Sequence, residues 1–203
     1  MSGSVPTDTD VRRRLVEAAA DLLSEHGPEA LSARRLARDA ETSTMAVYTH
    51  FGGMPALVRA VVAEGFGRLY DRVAQVELSD DPLSDLIASS AAYRAFALAD
   101  PHLYVVMFGS ASLGKYRLTQ VELEVGLAAF GQLVAVVERV MKAGVIRSGD
   151  PAAVAGQFWA ALHGYVMIEL SGLSHVVEDP EGEILQPMLA HLLAGLGWPS
   201  RPA

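Results

Sequence analysis

The chain has 203 residues, 51% of them hydrophobic, and a formal net charge of −8 at pH 7. That length accommodates one large or two small domains around a sizeable buried core. Cysteine is absent, which excludes disulfides and thiolate metal sites, and no apolar run reaches the roughly 20 residues needed to cross a bilayer.

The opening, MSGSVPTDTD, has neither a basic n-region nor an apolar h-region. It predicts no signal peptide, and a soluble, cytoplasmic protein is expected. Residues 1–9 are polar, contain Pro6 and are expected to form a disordered tail. A first helix is predicted from Asp10 to Glu25, where Val11, Leu15, Ala18, Ala19, Leu22 and Leu23 recur at helical spacing. His26-Gly27-Pro28 ends it, because glycine suits the C-terminal cap and proline cannot continue the helix.

Two short apolar patterns follow in Ser32–Met54. The first places Ala33, Leu36 and Ala37 on one helical face; the second places Val47 and Phe51 four apart on another. Ser32 and Ser43 stand where a hydroxyl caps the following N–H groups. Only Ala40, Glu41 and Thr42 are left for the turn. Two helices joined so tightly form a helix-turn-helix, whose second helix enters a DNA major groove. With Val47 and Phe51 inward, spacing turns Thr44, Met45, Tyr48 and Thr49 toward DNA. Met45 is suited to a thymine methyl, and the threonines to base edges or phosphates. Ser32, Arg34 and Arg35 are placed to reach the DNA backbone from the preceding helix. The alternative is that Tyr48 merely packs between helices.

Gly52-Gly53 breaks the chain and Pro55 opens a fourth helix, about Met54 to Leu78, with Leu57, Val61, Val62, Phe66, Leu69, Val73 and Val76 inward. After the turn Ser79-Asp80-Asp81-Pro82, a fifth helix spans about Leu83–Leu98, and a sixth spans His102 to about Ala111, stopping near Gly114. Leu103–Phe108 is rich enough in β-branched and aromatic residues to be ambiguous between helix and strand. A long seventh helix runs from about Arg117 to Ala143, ending at Gly144. Asp150-Pro151 reads as an N-cap with Pro at N1, opening an eighth helix to about Ser171. A ninth spans about Glu183–Leu196, followed by a loose tail at 199–203. The fold class is therefore all-α with nine helices. The domain reading is a DNA-binding domain at 10–53 and an effector-binding and dimerisation domain at 54–198.

The helix-turn-helix stretch resembles the DNA-binding motif of the TetR family of bacterial transcriptional regulators. The resemblance rests on Leu31-Ser32, Leu36-Ala37, Ala40, Ser43, Val47-Tyr48 and His50-Phe51. Upstream, Ala18-Ala19-Ala20-Asp21-Leu22-Leu23, His26-Gly27 and Ala30 also match. It covers about residues 11–66 and implies the nine-helix architecture. It adds Thr42, Ser43 and His50 to the DNA-facing set, with Tyr48 and His50 resembling a phosphate-contacting pair. Further on, Phe158-Trp159-Ala160-Ala161-Leu162-His163-Gly164 and Pro101–Phe108 resemble the Trp-His-Gly subgroup of C-terminal domains. The family usually has Gly where Glu41 stands and Lys where Met54 stands. Losing that lysine implies weaker binding and about one phosphate contact fewer.

Charge fits DNA binding only locally. Residues 8–53 hold six arginines against eight carboxylates, whereas 32–54 hold three arginines against Asp39 and Glu41. The positive surface is expected at Arg12–Arg14, Arg34, Arg35 and Arg38, while residues 177–183 gather four acids.

Helices five to eight concentrate Tyr93, Phe96, His102, Tyr104, Met107, Phe108, Phe130, Trp159, His163, Tyr165, Met167 and Glu169. A mainly apolar cavity with a few polar groups is what a small-molecule site needs; the alternative is plain core packing. The resemblance implies an effector pocket here without saying which residues line it. Helix nine carries Ile184, Leu185, Met188, Leu189, Leu192, Leu193 and Leu196, a wider apolar arc than one packing face needs. Helix eight offers Ala152, Gly156 and Ala160 for close approach. The resemblance implies that these two helices form a four-helix bundle with a second copy, making a homodimer.

No nucleophile elbow, HExxH, phosphate loop or GxGxxG occurs, so no enzyme, cofactor or metal site is expected. The reading is a repressor that binds palindromic double-stranded operator DNA as a homodimer and is released by a small apolar or amphipathic effector. The alternatives are an effector-independent DNA-binding dimer, or a helical small-molecule-binding protein or enzyme that has lost DNA binding.

Overall fold

The computed structural model describes residues 8–27, 30–109 and 120–197, side chains 121–123 excepted. Residues 1–7, Pro28, the end of the sixth helix at Ala111–Gly114, the start of the seventh at Arg117 and the tail at 199–203 lie outside the described residues. Nine α-helices and no strand occur among the described residues. They are α1 (Asp8–His26), α2 (Ala33–Asp39), α3 (Thr44–Phe51), α4 (Met54–Ala74), α5 (Pro82–Ala99), α6 (Pro101–Gly109), α7 (Gln120–Lys142), α8 (Pro151–Leu170) and α9 (Gln186–Gly195). No helix among them is long and apolar enough to cross a membrane.

Three boundaries differ from the sequence expectation by more than one residue. The first helix starts at Asp8 rather than Asp10, with Asp8 and Asp10 in its first turn, where carboxylates favour the positive end of the helix dipole. The fourth ends at Ala74, short of Leu78. The last turn closes with Val76 N donating to Val73 O at 3.0 Å, and beyond it Ser79 is anchored away from any helix: its N–H and hydroxyl both donate to Asp85 Oδ1, at 2.9 and 2.8 Å, and its carbonyl accepts from Arg139. The ninth opens with a π-helical turn, Glu181–Leu185, in which Gln186 N donates to Glu181 O. Pro187 has no N–H with which to close the ordinary bond to Glu183, so the wider register is adopted. Leu103–Phe108 is helical, as part of α6.

The chain divides into two compact units, Met1–Arg68 with Asp100–Gly126, and Leu69–Ala99 with Leu127–Ala203. In the first, Leu15, Ala19, Leu22 and Leu23 of α1, Leu36 of α2, Val47 of α3, Leu57, Val61 and Val62 of α4, and Leu103, Tyr104 and Met107 of α6 are buried. α1 packs against α2, α3 and α6. α6 approaches α4 where Gly65 leaves room: a Cβ there would stand 2.6 Å from Met107 Sδ. Each buried leucine or valine contributes about 1.5–3 kcal/mol.

The second unit is built on Leu86, Val136, Val137, Val140, Met141, Ile146, Val154, Ala155, Phe158 and Leu193. Asp85, only 2% exposed, is held there by Ser79 and Arg139. Burial pushes its carboxyl up, but the bonds from Ser79 and Arg139 outweigh that and leave it below its ordinary value. Arg94 of α5 makes a two-pronged pair with Glu169 of α8, 2.9 and 2.6 Å, and reaches Glu181 at 2.8 Å.

Candidate nucleic-acid interface

The helix-turn-helix forms because each short helix is capped by its own serine. Ser32 Oγ accepts from Arg35 N at 3.3 Å and Ser43 Oγ accepts from Ala46 N at 3.2 Å. Such a cap contributes about 1 kcal/mol, which matters for helices of seven and eight residues. The turn closes by Glu41 N to Arg38 O, 3.2 Å, and Thr42 N to Ala37 O, 2.8 Å. Glu41 takes φ +49°, the left-handed conformation that disfavours a residue with a Cβ. Gly52, at φ +67°, ends α3.

Within this frame α3 has one buried and one open side. Val47 is fully buried and Phe51 half-buried, with the Arg12 guanidinium over the Phe51 ring at 5.0 Å. Ser43, Thr44, Met45, Tyr48 and Thr49 are exposed; Thr42 is half-buried. Met45 is 68% exposed and Tyr48 55%. His50 is different. Its side chain is 9% exposed, edge-on to Phe51, with Nδ1 3.5 Å from Asp8 Oδ1.

The surrounding charge is mixed. Ser32 and Arg34 are exposed and Arg35 half-buried. Asp39 draws Arg35 to 3.8 Å and Arg38 to 2.8 Å, and Arg13 is paired with Glu17 at 2.9 Å. A groove of about 380 Å³ beside α1 and the α2–α3 turn is lined by Glu17, Asp21, Glu25, Asp39 and Glu41 together with Arg14.

The residues expected around an effector fall into separate groups. In the first unit, Tyr104 and Met107 are fully buried; Phe108 packs at a tilt against Tyr104 (4.8 Å between ring centres) and edge-on against Phe66 (5.4 Å). His102 is exposed, with Nδ1 against Ser24 O. In the second unit, Tyr93, Trp159 and His163 converge. Trp159 Nε1 donates to Tyr93 Oη at 3.3 Å, and Tyr93 Oη lies 3.3 Å from His163 Nδ1. Phe130 meets Trp159 edge-on at 6.2 Å. Phe96 is buried and Met167 half-buried. Desolvation holds the His163 imidazole below its ordinary pKa. It is therefore neutral at pH 7, and the tyrosine hydroxyl can donate to its Nδ1. Among the described residues no group of three or more His, Asp or Glu is placed to hold a metal.

On the expected dimer face, Ala152 and Ala160 of α8 are exposed and Gly156 is open to added volume. Leu185 is buried, and Leu189, Leu192 and Leu196 pack partly against the second unit's own core; Met188 is half-buried. Arg94 escaped the sequence reading. A lone charge inside the apolar run Ala91–Ala99 was the available signal, since such a group persists in a helix interior only with a partner.

Residues 15–61 match the family model described as Bacterial regulatory proteins, tetR family, and residues 86–192 match Tetracyclin repressor-like, C-terminal domain. The narrower Trp-His-Gly grouping is not carried by these matches. The chain is 27% identical over 190 residues to the uncharacterized HTH-type transcriptional regulator Rv0681 of Mycobacterium tuberculosis, covering 91% of this chain and 81% of that one. It is similar to the structure of a protein with unknown function from Rhodococcus sp. RHA1, with a TM-score of 0.78, 28% identity and 96% of each chain covered. It also shares the fold of BioQ, solved with its natural double-stranded DNA operator, with a TM-score of 0.61, 22% identity, and 90% of this chain and 98% of that one covered. The chain belongs to the TetR family of bacterial transcriptional regulators, and is a regulator rather than an enzyme.

Proposed function

We propose that this regulator is a cytoplasmic repressor whose homodimer binds a palindromic DNA operator and is released by a small apolar or amphipathic effector. The observation that carries the DNA reading is the open side of α3, where Thr44, Met45, Tyr48 and Thr49 stand exposed beyond a buried Val47. The operator complex of BioQ supports a duplex as the partner. Tyr48, with Ser32, Ser43, Arg34 and Arg35, contacts phosphates, and the outward α3 residues face bases.

A second copy covers the small-residue side of α8. Ala152, Ala160 and Ile168 are exposed there, and Gly156 and Gly164 have no atom within reach of an added Cβ. The uncovered edges of Met188, Leu189, Leu192 and Leu196 complete that face. Twofold symmetry sets two reading helices about 34 Å apart, in successive major grooves. The Tyr93–Trp159–His163 group supplies polar anchors for an effector among aromatic walls. Release requires an effector that binds the two conformations of the dimer unequally. We place helix 54–74 as the element whose shift changes the separation of the reading heads.

The test is a gel shift on the promoter region next to the protein's own gene, with the wild type and Tyr48→Ala, over a series of salt concentrations. The wild type is expected to bind with salt-sensitive affinity. The variant loses roughly tenfold or more while melting at the same temperature, as a lost charge-assisted phosphate contact predicts. Absence of salt-sensitive binding there and across the genome overturns the reading. A Tyr48→Ala dimer that unfolds assigns that side chain to packing.

A further inference from the structure

We propose that α3 reads its operator chiefly through thymine C5-methyl groups, with Met45 as the principal contact. The inference rests on the DNA-binding reading above and adds what the protein looks for in the groove. In the major groove, guanine and adenine are distinguished by bidentate bonds from Arg or Lys and from Asn or Gln, whereas thymine adds a methyl group that apolar side chains touch. The exposed residues of α3 are Thr44, Met45, Tyr48 and Thr49. None carries a charge or an amide, so the outward side of the helix holds none of the usual groups for bidentate reading of purines. His50 does not supply one either, since its side chain is 9% exposed and set against Asp8. Ser43 Oγ accepts the cap bond from Ala46 N, and its hydroxyl proton is assigned above to a phosphate.

What remains is hydroxyls, a phenol, a thioether and methyl groups. Met45 has no N–H or O–H to donate, and its sulfur is only a weak acceptor. At 68% exposure it is the most exposed large apolar side chain of the helix-turn-helix. It is the second residue of α3, in the N-terminal turn that approaches base edges in this motif. Thr49 lies four residues on, so its methyl continues the same column along the helix. Met45 and Thr49 therefore form an apolar strip suited to C5 substituents. Two consequences follow from the chemistry. Uracil, which pairs like thymine but lacks the methyl, is a poor substitute at the contacted positions. The 5-methylcytosine–guanine pair presents the methyl again and is a partial one.

The probe is the tightest duplex recovered by selecting a random library on the full-length protein. Each thymine in turn is replaced by deoxyuridine, and binding is followed by fluorescence anisotropy. At contacted positions the wild type is expected to lose about fourfold in affinity per methyl, the value of one buried carbon. Met45→Ala binds the parent duplex more weakly by a similar factor and becomes indifferent to uracil at those positions. Met45→Leu keeps the sensitivity. Replacing the thymine–adenine pair there by cytosine–guanine weakens binding, and cytosine methylation recovers part of it. A selected duplex that binds equally well with uracil at every thymine overturns the methyl reading and leaves the DNA reading standing. An equal uracil penalty in the wild type and in Met45→Ala overturns the assignment to Met45. If no duplex is enriched and no salt-sensitive binding is found, the DNA reading fails, and this inference fails with it.

Discussion

Replacing Glu41 by glycine separates two consequences of one residue, backbone strain and charge. Glu41 sits at φ +49° in the turn between α2 and α3. For a residue with a Cβ that conformation costs about 1–2 kcal/mol. Glycine removes the cost but gives up about 0.5–1 kcal/mol of extra unfolded-chain entropy. The turn bonds, Glu41 N to Arg38 O and Thr42 N to Ala37 O, are backbone bonds and survive the change. The expected net gain is about 0.5–1 kcal/mol, a rise of roughly 1–4 °C in melting temperature for a chain of this size. Glu41→Ala keeps the Cβ and the strain and should show no such rise. Both variants remove an exposed carboxylate from the head, so both should bind DNA more tightly at low salt and converge on the wild type as salt screens the charge. Differential scanning calorimetry of the three proteins decides the matter. A glycine variant that melts no higher than the wild type, or an alanine variant that rises as far, would refute the strain argument.

Arg94→Ala strands Glu169 beside Tyr165 and should cost about 2–3 kcal/mol in urea unfolding; Arg94→Lys recovers only part, since an ammonium cannot match the two-pronged pair. In α4, Gly67→Ala should stabilise by up to about 1 kcal/mol through helix propensity, because nothing lies within 4 Å of the new Cβ. Gly65→Ala forfeits that gain against Met107 Sδ, so it should melt below Gly67→Ala. The His163 imidazole has a lowered pKa in the fold, so the unfolded chain binds its proton more readily. Stability is therefore complete above roughly pH 6.5 and declines as pH falls toward the folded value. His163→Gln should flatten that part of the melting-temperature profile.

The reading head was legible in the sequence because short helices with strong caps are locally specified. Ser32 and Ser43 cap where their spacing said, and the 3.6-residue period sent Val47 inward and Met45 and Tyr48 outward. Helix ends set by distant partners were not legible. Val73 and Val76 continue the apolar period of α4, but Ser79 is claimed by Asp85 and Arg139, and Arg139 lies 60 residues further on. His50 entered the DNA-facing set only through the family resemblance; in the fold its side chain is mostly covered, edge-on to Phe51 and with Nδ1 3.5 Å from Asp8 Oδ1. Of the aromatic residues in the C-terminal part, Trp159 and His163 could be placed together because they are four apart on one helix. That Tyr93 joins them, while Phe66 and Tyr104 both meet Phe108, depends on tertiary packing that periodicity does not encode.

The most direct test of the central claim is the stoichiometry and spacing of the protein on selected DNA. Full-length protein is bound to the tightest duplexes from a random library, the mass of the complex is measured in solution, and the contacted bases are mapped by hydroxyl-radical footprinting at low and raised salt. The account predicts an even number of protomers on an inverted repeat, with half-site centres one helical turn or a multiple of it apart, and affinity that falls as salt rises. A single protomer on one half-site, or no sequence enriched above salt-insensitive background, would contradict it.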